Sequence, residues 1–407
     1  MSVPHNSISL FPPHIRAIAE ALFAIFQEGE YADKVIERTL KADPRRGAGD
    51  RAFIAENVYE IVRWYRLLYS VRGREPSTVQ DWWEIIGIRY LIDDHDLPRW
   101  KEFSRLNAEK IRKRYRDLKK ERSIGESIPA WLDEMGLQEL GDKWPATLHA
   151  LNQPAKAVIR TNTLKTNTVT LRKLLSEEGV RTEPLAGDAL LVVEHKSLFR
   201  TKAFQQGLFE MQDLSSQQVA PFCELAPGMR VIDACAGAGG KTLHLANLMQ
   251  NKGLIIAMDT EAWKLQELKK RARRNGVHIV EPRAVENSKT IKRLHQSADR
   301  VLLDVPCSGL GVLRRNPDTK WKLNPEFIAS IQQTQQDILQ RYAQMVKPGG
   351  KLVYATCSIL PSENEGQVAR FLQSEAGKDF TLEADNPILP QENGFDGFYM
   401  ARLVRKG

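Results

Sequence analysis

The sequence predicts a doubly wound α/β fold with a mostly parallel sheet in its second half, preceded by a helical domain and a small α+β module. Three observations lead to this prediction. Short apolar strands alternate with amphipathic helices, a glycine-rich turn follows the first of these strands, and two cysteines come soon after buried strands. Because 407 residues exceed one compact core, we divide the chain into residues 1–125, 126–206 and 207–407.

The chain carries a formal charge of +8, and its basic residues are clustered. Such clusters are expected where a protein contacts the phosphate backbone of a nucleic acid, although many charged clusters are only solvated surface. The clusters comprise Arg112, Lys113, Arg114, Arg116, Lys119, Lys120 and Arg122, then Lys269, Lys270, Arg271, Arg273 and Arg274, and finally Arg314 and Arg315.

The sequence contains no recognisable signal peptide and no run of about 18 apolar residues, the length that a membrane span needs. We therefore expect a cytoplasmic protein with reduced thiols and no membrane partner. Its four cysteines form no CxxC pair and no His-rich spacing accompanies them, so no metal site is expected.

Apolar residues recur at helical spacing through the first 125 or so residues. They comprise Ile15, Ile18, Leu22, Ile25 and Phe26 in one segment, and Ile54, Val58, Ile61, Val62 and Tyr65 in another. A polar stretch at residues 43–50 interrupts the helical pattern between these segments. A small helical bundle is predicted, whose core and rim contain Trp64, Trp82, Trp83 and Trp100.

The middle segment changes from a helical to a mixed α+β pattern. Residues 157–161 and 189–194 are predicted strands, and residues 168–178 form a predicted helix that Gly179 ends. Two interpretations, turn residues or phosphate contacts, are open for the polar group at the end of the first strand, which comprises Arg160, Asn162 and Lys165.

A glycine-rich turn follows the first strand of the second half, which is predicted at residues 229–234. Such a turn lets the backbone approach a ligand closely before a helix starts. The next strand, residues 254–258, leads into Asp259, whose carboxylate can accept hydrogen bonds from both ribose hydroxyls of a nucleoside. The pattern predicts a nucleoside-containing cofactor. It is not a Walker loop, because Cys235 stands where that motif needs glycine.

The downstream elements complete the predicted sheet. A helix capped by Asn324 stops at residues 347–350, and the next strand follows directly. Ser362 and Glu365 have the spacing of a capping box for the following helix. The last predicted element is an edge strand of a hairpin, at residues 398–404.

Two of the four cysteines stand where an open parallel sheet binds ligands, outside the carboxyl ends of its strands. Cys307 follows a predicted strand at residues 300–304, and Cys357 follows another at residues 351–356. If these strands are neighbours, about 5 Å apart, both thiols face one pocket. The remaining two, Cys223 and Cys235, are interpreted as small buried apolar residues.

Seven sequence motifs in order make the chain similar to the Sun/Fmu (RsmB/NOP) family of S-adenosylmethionine-dependent RNA cytosine-5 methyltransferases. They are residues 160–165, residues 212–217, the glycine-rich loop, and residues 304–307, 314–318, 356–358 and 396–399. The resemblance covers most of the chain and implies a Rossmann-like class I methyltransferase core. It also implies that the helical domain is NusB-like and binds RNA, and that the middle module resembles an RNA-recognition motif.

The resemblance implies covalent catalysis, because carbon 5 of cytosine is too weak a nucleophile to take a methyl group directly. Cys357 is implied as the thiolate that adds to carbon 6, and Cys307 as the thiol that assists release of the product. Asp304 is implied to hydrogen-bond the ring nitrogen 3 and the exocyclic amine. Lys241 is implied to orient the base or to favour the thiolate.

The same resemblance implies where S-adenosylmethionine binds. Asp259 is implied to contact it through its carboxylate, Asp304 borders it, and Glu286 stands where the family usually has an Asp near the adenine amine. The loop departs from the family's Ala-Pro-Gly-Gly-Lys pattern, because a Gly-Ala step replaces Ala-Pro. The loop residues implied to contact the cofactor are Cys235, Ala236, Gly237, Ala238, Gly239, Gly240 and Lys241.

Ribosomal RNA of the small subunit is the expected substrate, because the resemblance to bacterial enzymes includes the fused helical domain. A tRNA substrate and a non-catalytic RNA-binding ribosome assembly factor are the alternatives, and retention of both thiols opposes the second. DNA cytosine-5 methylation is disfavoured, because Ser308 rather than Gln follows Cys307. Adenine methylation is disfavoured, because residues 304–307 lack its Pro-Pro-aromatic loop.

Overall fold

The structure is a computed structural model that describes residues 10–193 and 197–407. The chain divides into two compact units, of which the first comprises Met1–Asn152 with Leu313–Leu323, and the second Gln153–Val312 with Asn324–Gly407. The second unit contains two separate sheets. The three-part division made from the sequence stays a prediction.

The first unit is helical, and its helices bury the apolar stripes that the sequence pattern predicts. Its core includes Ile15, Ile54 and Trp82, all with no exposed surface. The longer helices begin at recognisable caps, such as the capping box in which Thr78 accepts from the amide of Asp81. Numbered in chain order, the helices are α1 (Pro12–Gln27), α2 (Ala32–Ala42), α3 (Ala48–Arg63), α4 (Tyr65–Arg72), α5 (Val79–Ile92), α6 (Ala108–Leu118), α7 (Arg122–Gly125), α8 (Ala130–Leu140), α9 (Trp144–Leu151) and α17 (Thr319–Lys322).

The segment Leu313–Leu323 belongs to the first unit although the chain on either side of it does not. Arg314 is buried and its Nε donates to the carbonyl of Ala150 at 2.7 Å. Lys320 is also buried, which lowers its pKa well below the usual value, and its Nζ donates to the carbonyl of Arg63 at 2.9 Å. Arg314 is therefore a structural residue rather than part of a solvated phosphate-binding patch.

The second unit begins with a four-stranded antiparallel sheet in the order β2-β3-β1-β4. Its elements are β1 (Val158–Thr161), α10 (Thr168–Glu177), β2 (Thr182–Pro184), β3 (Ala189–Val192), α11 (Lys202–Gln205) and β4 (Phe209–Met211). The predicted helix and both predicted strands of this module are confirmed. The predicted end of β3 at Glu194 lies outside the described residues.

The polar group at the end of β1 has a structural role, which decides between its two interpretations. Arg160 is buried and donates to the carbonyl of Gly240 at 2.9 Å. Asn162 is buried and its amide donates to the carbonyl of Gly207 at 2.7 Å, while Lys165 donates to the carbonyl of Arg274 at 2.6 Å. The contacts of Arg160 and Lys165 connect the small sheet to the larger one, and burial keeps Arg160 and Asn162 from contacting phosphate.

A seven-stranded sheet forms the rest of the second unit, in the order β10-β11-β9-β8-β5-β6-β7. The strands from β9 to β7 are parallel, whereas β11 pairs antiparallel with both of its neighbours. Its elements are α12 (Leu214–Gln217), α13 (Val219–Phe222), β5 (Arg230–Asp233), α14 (Gly240–Leu248), β6 (Leu254–Asp259), α15 (Ala262–Asn275), β7 (Val280–Ala284), α16 (Ser288–Lys292), β8 (Ala298–Asp304), α18 (Pro325–Tyr342), β9 (Val346–Thr356), α19 (Glu365–Leu372), β10 (Phe380–Ile388), α20 (Pro390–Asn393) and β11 (Phe398–Arg405).

The predicted cap of α18 is confirmed, because Asn324 Oδ1 accepts from the amide of Phe327 at 2.7 Å. Three predictions for this region were wrong. Residues 347–350 belong to β9, where pairing with β8 continues through an irregular register. The strand β11 forms the predicted hairpin but is not at the edge, because β10 covers it.

The predicted capping box is the third error. Ser362 lies in a 3-10 turn, and the helix α19 begins only at Glu365, after Asn364. The amide of Asn364 instead donates to the carbonyl of Ser358 at 3.1 Å. The side chain of Asn364 therefore bonds back to the loop after β9, six residues earlier, and the predicted cap does not form. Across the two described stretches, no helix is both long and apolar enough to span a membrane.

Candidate active site

Two thiols meet at the carboxyl ends of neighbouring parallel strands. The strands β8 and β9 are paired, with Asp304 opposite Ala355, as the sequence pattern predicted. The Sγ atoms of Cys307 and Cys357 lie 3.2 Å apart, and both side chains are partly buried. The contact with the Cys357 sulfur, together with burial, raises the pKa of the Cys307 thiol well above its usual value. The pair therefore favours a neutral Cys307 that donates to Cys357.

An ion pair lies beside the thiols, between Lys241 at the start of α14 and Asp304 at the end of β8. Lys241 Nζ is 2.7 Å from Asp304 Oδ2, and it lies 5.2 Å from the ring centroid of Phe398. Burial alone would lower the pKa of Lys241, but the charge of Asp304 and the hydrogen bond to it outweigh burial and raise the pKa. Lys241 is therefore a protonated donor next to Asp304 and beside the thiols.

The glycine-rich loop joins β5 to α14, whose first residue is Gly240. Gly237 has φ +54°, and a Cβ placed on it would meet no atom within 4 Å. This loop is held by the carboxylate of Asp259, which accepts from the amide of Gly237 at 2.9 Å and from that of Glu261 at 2.8 Å. Accessible backbone of the loop therefore lies next to the carboxylate of Asp259, which ends β6.

A buried carboxylate that sequence reasoning did not select, Asp233, ends β5 at the base of this loop. Its Oδ2 accepts from the hydroxyl of Thr242 at 2.6 Å, whereas its Oδ1 has no hydrogen-bond partner. Burial is the main cause that raises the pKa of Asp233 to about 7. An orphaned buried acceptor is unusual, so it is a signal for a missing donor group.

These features fit the nucleoside-containing cofactor that the sequence pattern predicts. The open backbone at Gly237 leaves room for close approach, and the partly buried carboxylate of Asp259 offers an acceptor to hydroxyl donors. Glu286 is exposed and lies two residues beyond Ala284, the β7 residue opposite Asp259. Its predicted contact to the adenine amine stays a prediction, as do the roles of the other site residues.

A second buried carboxylate, Glu363, was also missed. It contacts Ser308 and Ser358, the residues that directly follow the two cysteines. The sequence did contain a signal, because each cysteine is followed by a serine and an acidic residue lies nearby, but local spacing does not reveal which groups meet.

The chain matches two family models. One described as 16S rRNA methyltransferase RsmB/F matches residues 222–404, and one described as the RsmF/B-like ferredoxin-like domain matches residues 128–197. A Synechocystis protein named "Probable ribosomal RNA small subunit methyltransferase B" is 33% identical, over 94% of this chain and 97% of its own length. The enzyme named ribosomal RNA small subunit methyltransferase B of Pasteurella multocida is 34% identical, over 68% of this chain and 64% of its own.

Among solved structures, the crystal structure of the protein PH0851 has a TM-score of 0.82 and 27% identity, and covers 98% of this chain and 100% of its own. The predicted fold class is confirmed by these matches together with the mostly parallel sheet, the ferredoxin-like module and the N-terminal helical region. The chain therefore belongs to the RsmB/F family of 16S ribosomal RNA methyltransferases, the Sun/Fmu family that its motifs resemble.

Proposed function

We propose that this protein transfers a methyl group from S-adenosylmethionine to carbon 5 of a cytosine in small-subunit ribosomal RNA, through a covalent thiol adduct at carbon 6. One observation carries the proposal: the thiols of Cys307 and Cys357 lie 3.2 Å apart beside the Lys241–Asp304 ion pair. Direct methylation of a carbon that is already a good nucleophile would need no thiol, and two thiols suit a reaction that forms and then breaks a carbon–sulfur bond.

Cys357 is the proposed nucleophile. Its neighbour Cys307 has a strongly raised pKa, so the Cys307 thiol is poorly suited to be the attacking group. The ammonium of Lys241 favours negative charge on this sulfur, since the same Coulomb attraction raises the pKa of Lys241. The thiolate adds to carbon 6, and the electrons of the 5,6 double bond then become available at carbon 5.

Asp304 and Lys241 are proposed to hold the base during this addition. Negative charge develops on the ring when sulfur adds, and a donor near ring nitrogen 3 stabilises it. The Asp304 carboxyl accepts from the exocyclic amine or, when protonated, donates to the ring nitrogen. Cys307 is proposed to act last. Water takes the proton from carbon 5, the electrons of that bond restore the 5,6 double bond, and Cys357 leaves carbon 6 while the Cys307 thiol donates a proton to the departing sulfur.

S-adenosylmethionine, when bound, supplies an electrophilic methyl group to carbon 5. Residues 235–241 are proposed to hold it through backbone groups, and Asp259 through its carboxylate. Glu286 remains the proposed partner of the adenine amine. All of these residues lie at the carboxyl ends of β5, β6 and β7 or in the loops that follow them, where open α/β sheets bind ligands.

The substrate is proposed to be an unpaired cytosine, because the base must leave its stack to reach the thiols. Exposed basic residues of the helical unit, including Lys113 and Arg116 on α6, support an RNA partner. Ribosomal RNA is favoured over tRNA because the relatives described above are named for it. A cytoplasmic location is part of the same proposal, since that is where small-subunit ribosomal RNA is found.

The test is transfer of labelled methyl from S-adenosylmethionine to total RNA from cells lacking this protein, with bisulfite mapping of the product. We expect label at carbon 5 of one or a few cytosines in small-subunit ribosomal RNA, and none with Cys357→Ala. Label in tRNA alone would replace the ribosomal substrate with the tRNA alternative. Binding of RNA and cofactor without any label, on naked RNA and on small subunits, would favour the assembly-factor alternative.

A matched control keeps the result specific to the nucleophile. Cys223 is a buried cysteine of the core, with a pKa that burial raises to about 12. Cys223→Ala removes one thiol without touching the site, so it is expected to retain methyl transfer. Label that survives in Cys357→Ala would contradict the covalent mechanism.

A further inference from the structure

A fully buried carboxylate bridges the two loops that carry the thiols. Glu363 has no exposed surface. Its Oε1 accepts from the hydroxyls of Ser308 and Ser358, the latter at 2.6 Å. Its Oε2 accepts from the backbone amide of Ser308 at 2.8 Å and from Nε2 of Gln335 at 2.9 Å. Four donors therefore surround one carboxylate.

The two serines are oriented so that their protons point to this carboxylate. The Ser358 hydroxyl oxygen accepts from the amide of Leu360 at 3.1 Å, and the Ser308 oxygen accepts from the amide of Leu310 at 3.4 Å. Each hydroxyl thus receives a backbone proton and gives its own to Glu363. The four hydrogen bonds replace the hydration that this carboxyl group loses on burial.

Neighbouring contacts fix the backbone around the same carboxylate. Gln335 Nε2 also donates to the carbonyl of Pro306 at 3.0 Å, next to Cys307. The hydroxyl of Tyr354 donates to the carbonyl of Glu363 at 2.6 Å. Both loops are therefore anchored to one buried point, which is 55 residues from Ser308 and five from Ser358 along the chain.

We propose that Glu363 is a positioning residue that sets the separation of Cys307 and Cys357. It acts through Ser308 and Ser358, and being fully buried it does not touch RNA. Its importance for catalysis rests on the proposed function, whereas its control of the thiol geometry does not. A displacement of about 1 Å at reacting groups can lower the rate about 100-fold. A residue that holds both thiol loops in place is therefore important for the rate.

The thiol geometry is measurable without RNA or cofactor. A disulfide has a sulfur–sulfur length of about 2.05 Å, so thiols 3.2 Å apart are close to bonding distance. Diamide oxidises such a pair by taking two electrons and two protons, and peptide mass spectrometry then reports the Cys307–Cys357 disulfide. The rate of this reaction in the full chain is a measure of how well the two thiols are held together.

Glu363→Gln is the main variant, because it keeps the shape but turns one acceptor into a donor that faces other donors. We expect its disulfide to form at least about tenfold more slowly than in the unmodified chain. Glu375→Gln removes an exposed carboxylate that pairs with Lys378, and is expected to leave the rate unchanged. A folded Glu363→Gln chain that oxidises at the normal rate would overturn the proposal.

Ser358→Ala covers the case in which Glu363→Gln does not fold. It removes one of the four donors and is expected to slow the disulfide as well, and an unchanged rate would overturn the proposal. If both variants fold, the double variant is expected to be no slower than Glu363→Gln alone, because both changes break the same contact. Additive effects would mean that the two residues act separately.

Methyl transfer by the same proteins separates this proposal from the proposed function. For Glu363→Gln we expect a lower kcat with an unchanged KM for RNA. A purely structural loss would instead reduce the fraction of folded protein, and thermal unfolding would reveal that loss. If the unmodified chain transfers no methyl group but the oxidation rates differ as expected, the proposed function fails and the positioning role stands. If the unmodified chain transfers methyl groups but the oxidation rates do not differ, the positioning role fails and the proposed function stands.

Discussion

The amide of Gly311 donates to the carbonyl of Cys357 at 2.9 Å, while the carbonyl of Gly311 accepts from the amide of Gly397 at 2.8 Å. Three loops of the second unit therefore meet backbone to backbone at one residue. A Cβ on Gly311 would lie 2.2 Å from the carbonyl oxygen of Gly397 and 2.7 Å from that of Cys357. Only glycine fits, because both obstacles are backbone atoms that cannot turn away.

Gly311→Ala is expected to displace the Cys357 loop. We expect a loss of about 1–3 kcal/mol in the free energy of unfolding, as in overpacked cores, and a slower Cys307–Cys357 oxidation. Urea unfolding and diamide oxidation measure the two effects. Gly49→Ala, in α3 with no atom within 4 Å of the added Cβ, is the control and is expected to cause no loss. Equal behaviour of the two variants would contradict the close contact.

Cys307→Ala is expected to trap the protein on RNA. If Cys307 assists the breaking of the carbon–sulfur bond, its loss leaves the adduct of Cys357 intact after methyl transfer. The measurement is a denaturing gel with labelled RNA, in which a covalent complex survives. Cys357→Ala and the double variant are expected to give no such complex. A complex that depends on Cys307 instead would reverse the roles of the two thiols.

Lys241→Met removes the ammonium from Asp304 and from the thiols. We expect single-turnover methyl transfer to fall by about 100-fold, in the range of general acid–base and electrostatic effects. Lys252→Met is the control, because Lys252 is exposed at the turn before β6. A rate within about twofold of the unmodified chain would exclude an electrostatic role for Lys241.

The basic surface of α6 is expected to bind RNA, but not through every residue of the cluster. Arg112 is engaged with Asp94 at 3.0 Å and with the carbonyl of Leu91, so its replacement would also disturb the fold. Lys113 and Arg116 are exposed and are better choices.

Replacing Lys113 and Arg116 by serine is expected to weaken RNA binding and to reduce its dependence on salt. The slope of log K against log salt is expected to fall by about 1.4, at about 0.7 for each lost contact to single-stranded RNA. Filter binding between low and moderate salt measures it. Replacement of Lys34 and Lys41 on α2 changes the net charge equally and is the control. An unchanged slope would mean that α6 is only solvated surface.

Asp233 is expected to make folding stability depend on pH. Burial raises its pKa from 3.8 to about 7, so the folded chain keeps a proton that the unfolded chain releases. The free energy of unfolding therefore falls as pH rises from about 4 to 7 and is level above that range. In Asp233→Asn this loss is absent, which amounts to a difference on the order of 2–4 kcal/mol between pH 4 and pH 8.

Urea unfolding of both proteins across that pH range tests the assignment. Asp337→Asn, at an exposed position of α18, is the control and is expected to follow the unmodified chain. Parallel curves for the Asp233→Asn and unmodified proteins would show that Asp233 is charged in the folded state.

Much of the fold could be predicted from local signals. Helices with one apolar face and strands bounded by glycine are encoded in spacing, so α10, β1 and β5 were found close to their observed bounds. The convergence of Cys307, Cys357 and Asp304 followed from a general property of parallel sheets, namely that ligands bind at the carboxyl ends of strands. Predictions failed where contacts outside the local pattern decided the structure, as at Asn364, whose side chain bonds to Ser358, and at β11, which β10 covers.

The sequence by itself determined the class of the fold, the glycine-rich loop and the position of each thiol after a strand, because periodicity and strand ends are local properties of the chain. That the two thiols meet depended on the pairing of β8 with β9. Only the tertiary structure decided that Arg160 and Arg314 are buried structural groups and that Glu363 joins Ser308 to Ser358. The physical reason is that a buried polar group must find partners wherever the fold provides them, and for Arg314 the partner Ala150 lies 164 residues away.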